Sequence, residues 1–238
     1  MKVDAISREI SATWVDIKNA IINPTEKSVG RIRLLNQLAF TTKRMSTTHV
    51  GLLINIISSH LAEDEAYVNI GVWNGFSFFS GVIGTNSQAI ANDSFLVYTG
   101  NIGYTGQTDS LGRDFGDTEK IFRDEFGRLC GERQKYFVED CWEFLDSYKK
   151  RGLPKIGFYF YDGDHSLDNQ IKALDKVEHL LADESVILID DANDTSVQKA
   201  NEQWFSKRPS FEKVLELRTP ANGWPTWWNG LDLYVRKA

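Results

Sequence analysis

KIGFYFYDGDHSLDNQIKAL, residues 155–174, joins an apolar run to an acidic turn and then to a segment of helical spacing. Lys155–Tyr161 is rich in aromatics, the texture of a strand buried on both faces. Asp162, Asp164 and His165 follow directly around Gly163. Ile171, Leu174, Val177, Leu180 and Leu181 then mark one face of an amphipathic helix. The next apolar run, residues 185–189 (SVILI), again stops on acids, Asp190 and Asp191. Strand, helix and strand in this order imply a right-handed crossover and a parallel sheet.

Moving outward, residues 66–71 (AYVNIG), 94–99 (SFLVYT) and Gln134–Val138 read as three earlier strands. Phe211–Leu217 and residues 231–235 are joined without a helix, which predicts an antiparallel hairpin on the sheet. Its connection, TPANGWPTWWNG, holds Trp224, Trp227 and Trp228, which either line a pocket or cover the sheet end. Upstream, Ile6, Ile10, Trp14, Ile17 and Ile21 recur at helical spacing before Pro24, and Ile32, Leu34, Leu35 and Leu38 suggest a second helix. A third follows the candidate caps Ser46, Thr47 and Thr48; it is apolar on most sides and expected to pack on the sheet. The expected architecture is α/β: a doubly wound, mostly parallel seven-stranded sheet over residues 63–238, with a helical N-terminal extension over residues 1–62. The glycine-rich segment 100–116 is expected to be a loop that orders on ligand binding.

Hydrophobic residues at 42% and charged residues at 25% are globular values. A net charge of -6 with scattered basic residues argues against a nucleic-acid partner, which needs concentrated Lys and Arg. Cys130 and Cys141 make neither a disulfide framework nor a metal set. MKVDAISREI lacks the apolar core of a signal peptide, and no apolar run approaches the ~20 residues of a membrane span. A cytoplasmic protein without a membrane partner is expected.

In a doubly wound sheet, ligands bind beyond the carboxyl ends of the strands, where strand order reverses. The turn YVNIGVWNGFS offers Gly71 and Gly75 for close backbone approach to a nucleotide-like ligand, although it lacks the spacing of dinucleotide enzymes. Asp162, Asp190 and Asp191 end two successive strands, so their carboxylates are expected to converge and repel unless a cation lies between them. Oxygen-only donors suit Mg²⁺ or a similar hard ion. His165 beside them is a candidate general base for a substrate hydroxyl. Turn formation and capping by the same acids are the plainer reading. Asp140 either faces an adenine amine or caps a helix. His49, His60 and His179 lie in helical segments and read as packing or surface residues.

Taken in order, YVNIGVWNGFS, FVEDCWEFL, FYFYDGDHSLDNQIKAL and VILIDDAN resemble the class I S-adenosylmethionine-dependent methyltransferases over about residues 45 to 238. The similarity is to the branch of metal-dependent small-molecule O-methyltransferases of the macrolide-sugar type. It implies a Rossmann-like methyltransferase fold, S-adenosylmethionine as cofactor, a divalent metal such as magnesium, and a small-molecule methyl acceptor. By that resemblance Gly71, Asn74, Gly75 and Ser77 lie along the methionine portion, and Asp140 faces the adenine. Asp162, Asp190 and Asp191 hold the metal, with Asp162 also at the cofactor and His165 as the base. The chain departs from the family at Asn69, where an acid is usual. It departs again at the end of the second strand, where Thr99-Gly100-Asn101 stands in place of the acid that binds the ribose hydroxyls. Asn69 and Asn101 then bind the cofactor without charge assistance.

Two other readings compete. Asp162-Gly163-Asp164 is also an Asp-x-Asp, the pattern with which nucleotide-sugar glycosyltransferases hold a metal against a diphosphate. A non-catalytic ligand-binding member of the methyltransferase fold is favoured by Asn69 and Asn101. The helical N-terminus is expected to serve a homo-oligomer contact or a substrate lid.

Overall fold

A computed structural model describes residues 2–19, 26–95 and 117–237 of the chain. Three helices come first: α1 (Lys2–Asn19), α2 (Glu26–Thr41) and α3 (Thr48–Ser58). Thr47 caps α3, its hydroxyl accepting from the Val50 amide at 3.3 Å. From Val50 to Ser58 every residue of α3 is buried, because α1, α2 and the later helix α4 all pack on it. Its side chains share one core with Tyr67, Phe158 and Phe160 of the sheet, so helices and sheet together account for its all-round hydrophobicity.

The alternating part of the chain runs β1 (Glu65–Ile70), α4 (Phe76–Val82), β2 (Gln88–Asp93), α5 (Thr118–Leu129), β3 (Gln134–Val138), α6 (Cys141–Ser147) and β4 (Lys155–Tyr161). It continues as α7 (Leu167–Glu178), β5 (Leu181–Ile189), α8 (Thr195–Phe205), β6 (Phe211–Leu217) and β7 (Leu231–Arg236). The seven strands form one sheet in the order β3-β2-β1-β4-β5-β7-β6. The first five strands are parallel, and β7 is antiparallel to both β5 and β6. The doubly wound sheet and the final hairpin are therefore as the sequence predicts. Strand order reverses between β1 and β4, which puts the ligand-binding crevice at their carboxyl ends.

Alternate residues of each strand serve opposite faces. Tyr67, Ala89, Ala91, Phe158 and Phe160 join α1–α4 in one core, with Val3, Ile6, Leu35 and Leu38. Val68, Ile70, Ile90, Tyr159 and Tyr161 join α6–α8 in the other, with Phe144, Leu174 and Trp204. Tyr67 stacks on Phe158 across the β1–β4 pair at 4.6 Å. Among the described residues no helix is long and apolar enough to cross a membrane.

The second strand needs correction. It is Gln88–Asp93 (QAIAND), paired with both β1 and β3, and Ser94 and Phe95 lie beyond its end. The run SFLVYT is the more hydrophobic, but the central position between β1 and β3 takes the small side chains of Ala89 and Ala91. Asn92 is accommodated there because its Nδ2 donates to the carbonyls of Phe137 and Glu139. The expected helix at Ile171–Leu181 likewise ends at Glu178, and Leu181 opens β5. Ile21, Pro24, residues 96–99, Asn101 and the expected loop at 100–116 lie outside the described residues.

Phe122 of α5 is fully buried beneath the first glycine turn and meets the rings of Phe78, Phe79, Phe95, Phe126 and Tyr136. Phe122→Ala removes that shared partner and should destabilise the protein by about 3–5 kcal/mol. Urea unfolding of the two proteins measures this; a loss under about 1 kcal/mol would contradict the packing.

Candidate functional site

The crevice is built on the turn after β1. Gly71 has φ +77°, and a β-carbon there would stand 1.9 Å from the carbonyl oxygen of Asp162. The Gly71 amide donates to Asn92 O at 2.9 Å, and the Asp162 amide donates to Ile70 O at 3.0 Å. The ends of β2, β1 and β4 are thus locked side by side. Gly75, at φ +92°, turns the chain into α4 over the rings of Phe79 and Phe122.

Asp93 ends β2 and holds this turn. Its Oδ2 accepts from the amides of Val72 at 2.9 Å and Trp73 at 2.8 Å, and its Oδ1 from Phe95 at 2.8 Å. Burial raises the Asp93 pKa, those three amides pull it back, and the charge of Asp162 raises it further. An acid does therefore stand at the end of the second strand. Misplacing that strand hid it, and the signal in the sequence was the Asp that ends QAIAND.

Asn69 is fully buried below the turn. Its Oδ1 accepts from Ser77 Oγ at 2.8 Å and Tyr67 Oη at 3.1 Å, tying β1 to α4. Asn74 is also fully buried, and both polar atoms of its side chain are without a hydrogen-bond partner among the described residues. Asp140 caps α6 through the amides of Trp142 and Glu143, as the plainer reading expects, and it also lines the crevice.

The acidic groups do come together. His165 Nε2 lies 3.1 Å from Asp191 Oδ2 and 3.6 Å from Asp162 Oδ1. Burial disfavours the imidazolium, but Asp162, then Asp191 and Asp190, outweigh it and the pKa rises to about 9. Its Nδ1 is buried with no partner among the described residues. Asp190 is buried, and its carboxyl is pushed well above the usual range by burial first and then by Asp162 and Asp191. Burial also raises Asp191, against the pull of His165. Asp191 sits in the left-handed region at φ +52°, where Asn229 Nδ2 donates to its Oδ1 at 2.6 Å. Asp164 shapes the turn, its Oδ1 accepting from the Ser166 amide at 2.8 Å.

Among the described residues no three His, Cys, Asp or Glu side chains already surround a single point as metal ligands. The chemistry of the donor set nevertheless suits a hard divalent ion: Asp162, Asp190 and Asp191 offer carboxylate oxygens alone, and the charge of Asp162 raises the proton affinity of both Asp190 and Asp191. The positive group standing between Asp162 and Asp191 is His165.

Two adjoining cavities open at this point. One, about 460 Å³, is lined by Ile70, Phe95, Asp140, Trp142, Tyr161 and Asn169 among others. The second, about 330 Å³, is lined by Arg44, Phe76, Ser77, Asp190, Trp228 and Asn229 among others. Gly71, Trp73, Asp93, Asp162, Gly163 and His165 line both. Asn69, Asn74 and Gly75 line neither and shape the turn from beneath. Trp228 faces the smaller cavity, Trp227 packs edge-on against His49 at 5.6 Å, and Trp224 is exposed. Arg44 and Asn229 could not be read as site residues, since each comes from a loop remote in sequence from the strand ends.

No protein-family model matches the sequence, and no curated protein does. Solved structures match over most of the chain. An O-methyltransferase from Bacillus cereus in complex with SAH shares 15% identity, covering 94% of this chain and 97% of that one, at a TM-score of 0.57. The O-methyltransferase TomG from Streptomyces achromogenes, involved in tomaymycin synthesis and solved with SAM, shares 11% identity over 94% of this chain and 96% of its own, at 0.58. The O-methyltransferase NovP shares 13% over 87% and 97%, at 0.56. The chain has the fold of these proteins.

Gly71 and Gly152 separate crowding from backbone strain. Both have positive φ, but a β-carbon at Gly152 meets nothing within 4 Å. Gly152→Ala should cost about 1 kcal/mol and leave ligand binding intact. Gly71→Ala must push Asp162 away and should lower S-adenosylhomocysteine affinity at least about a hundredfold, or prevent folding. Calorimetric titration beside thermal unfolding reads both, and a folded Gly71→Ala protein of unchanged affinity would remove the turn from the site.

Proposed function

We propose that this chain is an S-adenosylmethionine-dependent methyltransferase that methylates a hydroxyl of a small molecule with the help of a divalent cation. The observation that carries the reading is the pair of cavities meeting at Asp162 and His165, at the switch point of the sheet. The larger cavity takes the cofactor. There Asp140 and Trp142 flank the adenine, Asp93 faces the ribose in the role assigned above to Asn101, and Gly71 lets the methionine portion lie against the backbone. The smaller cavity takes the acceptor, and the shared wall is where sulfonium and hydroxyl meet.

Bound S-adenosylmethionine supplies an activated methyl group, and a cation held by Asp162, Asp190 and Asp191 lowers the pKa of the acceptor hydroxyl. The chain's own residues do the rest. With a cation at the carboxylates offsetting the pull that raises its pKa, His165 would be neutral and would accept the hydroxyl proton at Nδ1, while Nε2 stays on Asp191 and Asn229 fixes Asp191, an arrangement that sets the tautomer and ring orientation. Asn69 and Ser77 keep the glycine turn in register, and the apolar walls formed by Trp73, Phe76 and Phe160 exclude water from the line of transfer.

Titration with S-adenosylhomocysteine and, separately, with a nucleoside diphosphate tests the cofactor class: the first should bind and the second should not. His165→Ala should lower the transfer rate by about 10²–10⁴ and leave divalent-cation affinity nearly intact. Asp190→Asn should instead weaken cation binding. A rate indifferent to chelator would defeat the metal-assisted part of the reading while leaving the cofactor part standing.

A further inference from the structure

Arg44, in the connection between α2 and α3, lines the smaller cavity together with Met45 and Ser46. Its guanidinium lies over the Phe76 ring, 5.5 Å from the centroid, and its Nη1 donates to the Ala39 carbonyl. No carboxylate pairs with it among the described residues. The cavity's carboxylates, Asp93, Asp162, Asp190 and Asp191, are instead engaged with the glycine turn, His165, Asn229 or the local backbone. The contact with Ala39 and the seat on Phe76 fix the plane of the guanidinium and leave its remaining N–H groups for a ligand. A planar fork of this kind matches a carboxylate, which it can bind through two parallel hydrogen bonds. The other walls, Met45, Trp73, Phe76, Phe160 and Trp228, are flat or apolar. At about 330 Å³ the space suits one small ring system.

We propose that Arg44 is the specificity residue for the methyl acceptor, binding a carboxylate carried on a small hydroxylated ring whose hydroxyl reaches toward His165. The cavity is then polarised. The end at Asp162, Asp190 and Asp191, where the cation would sit beside His165, takes the hydroxyl, and Arg44 on the other wall takes the acid. A carboxylate placed the other way round would leave the Arg44 guanidinium without its bidentate partner. Charge thus sets the orientation of the acceptor as well as its class. This inference rests on the acceptor assignment made for the smaller cavity.

The test uses the full-length protein saturated with S-adenosylhomocysteine and magnesium, with tryptophan fluorescence from Trp73 and Trp228 as a reporter and calorimetry alongside. The probes are 3,4-dihydroxybenzoate and its neutral counterpart 3,4-dihydroxybenzamide. The benzoate should bind at least about tenfold more tightly than the amide. Arg44→Gln should erase that preference without changing affinity for S-adenosylhomocysteine, and Arg44→Lys should restore part of it. Because Arg44 is exposed along its flank, the substitution spares the core, and thermal unfolding verifies this. Equal binding of the two probes, failure of the benzoate to bind, or a preference that survives Arg44→Gln overturns the proposal. Failure of S-adenosylhomocysteine itself to bind is a separate readout and strikes the cofactor reading, since the two probes can still be compared on the protein alone.

Discussion

The backbone of Gly71 lies so close to the Asp162 carbonyl that a β-carbon would come within 1.9 Å of it, and the whole crevice is organised around that contact. It fixes how far β1 and β4 extend past one another at the point where strand order reverses. Hydrogen bonds from Gly71 to Asn92 and from Asp162 to Ile70 extend the same register to β2 and β4. With three strand ends locked, Asp93 reaches the amides of the turn and Asp162 is held beside His165. The glycine is therefore a requirement of packing before it is a requirement of ligand approach. Both demands act on one atom position, the missing β-carbon.

What could be read in the sequence follows from burial. β4 after Lys155 and the last four residues of β5 are buried throughout, so they appear as unbroken apolar runs, and the acids closing them stand out. β6 and β7 have no helix between them, which reveals the hairpin. β2 was concealed because its place between β1 and β3 is filled by alanines and a hydrogen-bonded Asn92, whose polarity hides a strand buried from Ala89 to Asn92. Asp93 was lost with it, and the apparent deficit of an acid at that strand end came from the same misplacement. Asn69 is a different case: no strand is misplaced there, and the structure gives the side chain a partner in Ser77 and another in Tyr67.

The acidic edge is a balance between folding and chemistry. Asp190 loses hydration on burial and is further strained by Asp162 and Asp191, a cost that folding alone gives no reason to accept. Part of the offset is local: the Asp191 amide donates to Asp190 Oδ1 at 2.9 Å, and Asn229 donates to Asp191. The remainder falls to positive charge. His165 provides some of it, and the surplus of carboxylates over imidazole is the physical ground on which a bound cation is proposed.

The two cavities draw on different parts of the chain. The larger is formed almost wholly by strand ends and the turns that leave them, which the sheet positions rigidly. The smaller borrows one wall from the connection after α2 and another from the loop before β7. Thr47 Oγ1 donates to the carbonyl of Thr226 and ties these two loops together. Trp228 is held beside them in the left-handed region at φ +55°, and its amide and carbonyl pair with Trp224. Residues on such loops can change without disturbing the register at Gly71, whereas residues at the strand ends cannot. Proteins with 11–15% identity to this chain can therefore share its fold. Under the proposed reading the determinants of the acceptor lie on the two tied loops, and the fold by itself does not supply them.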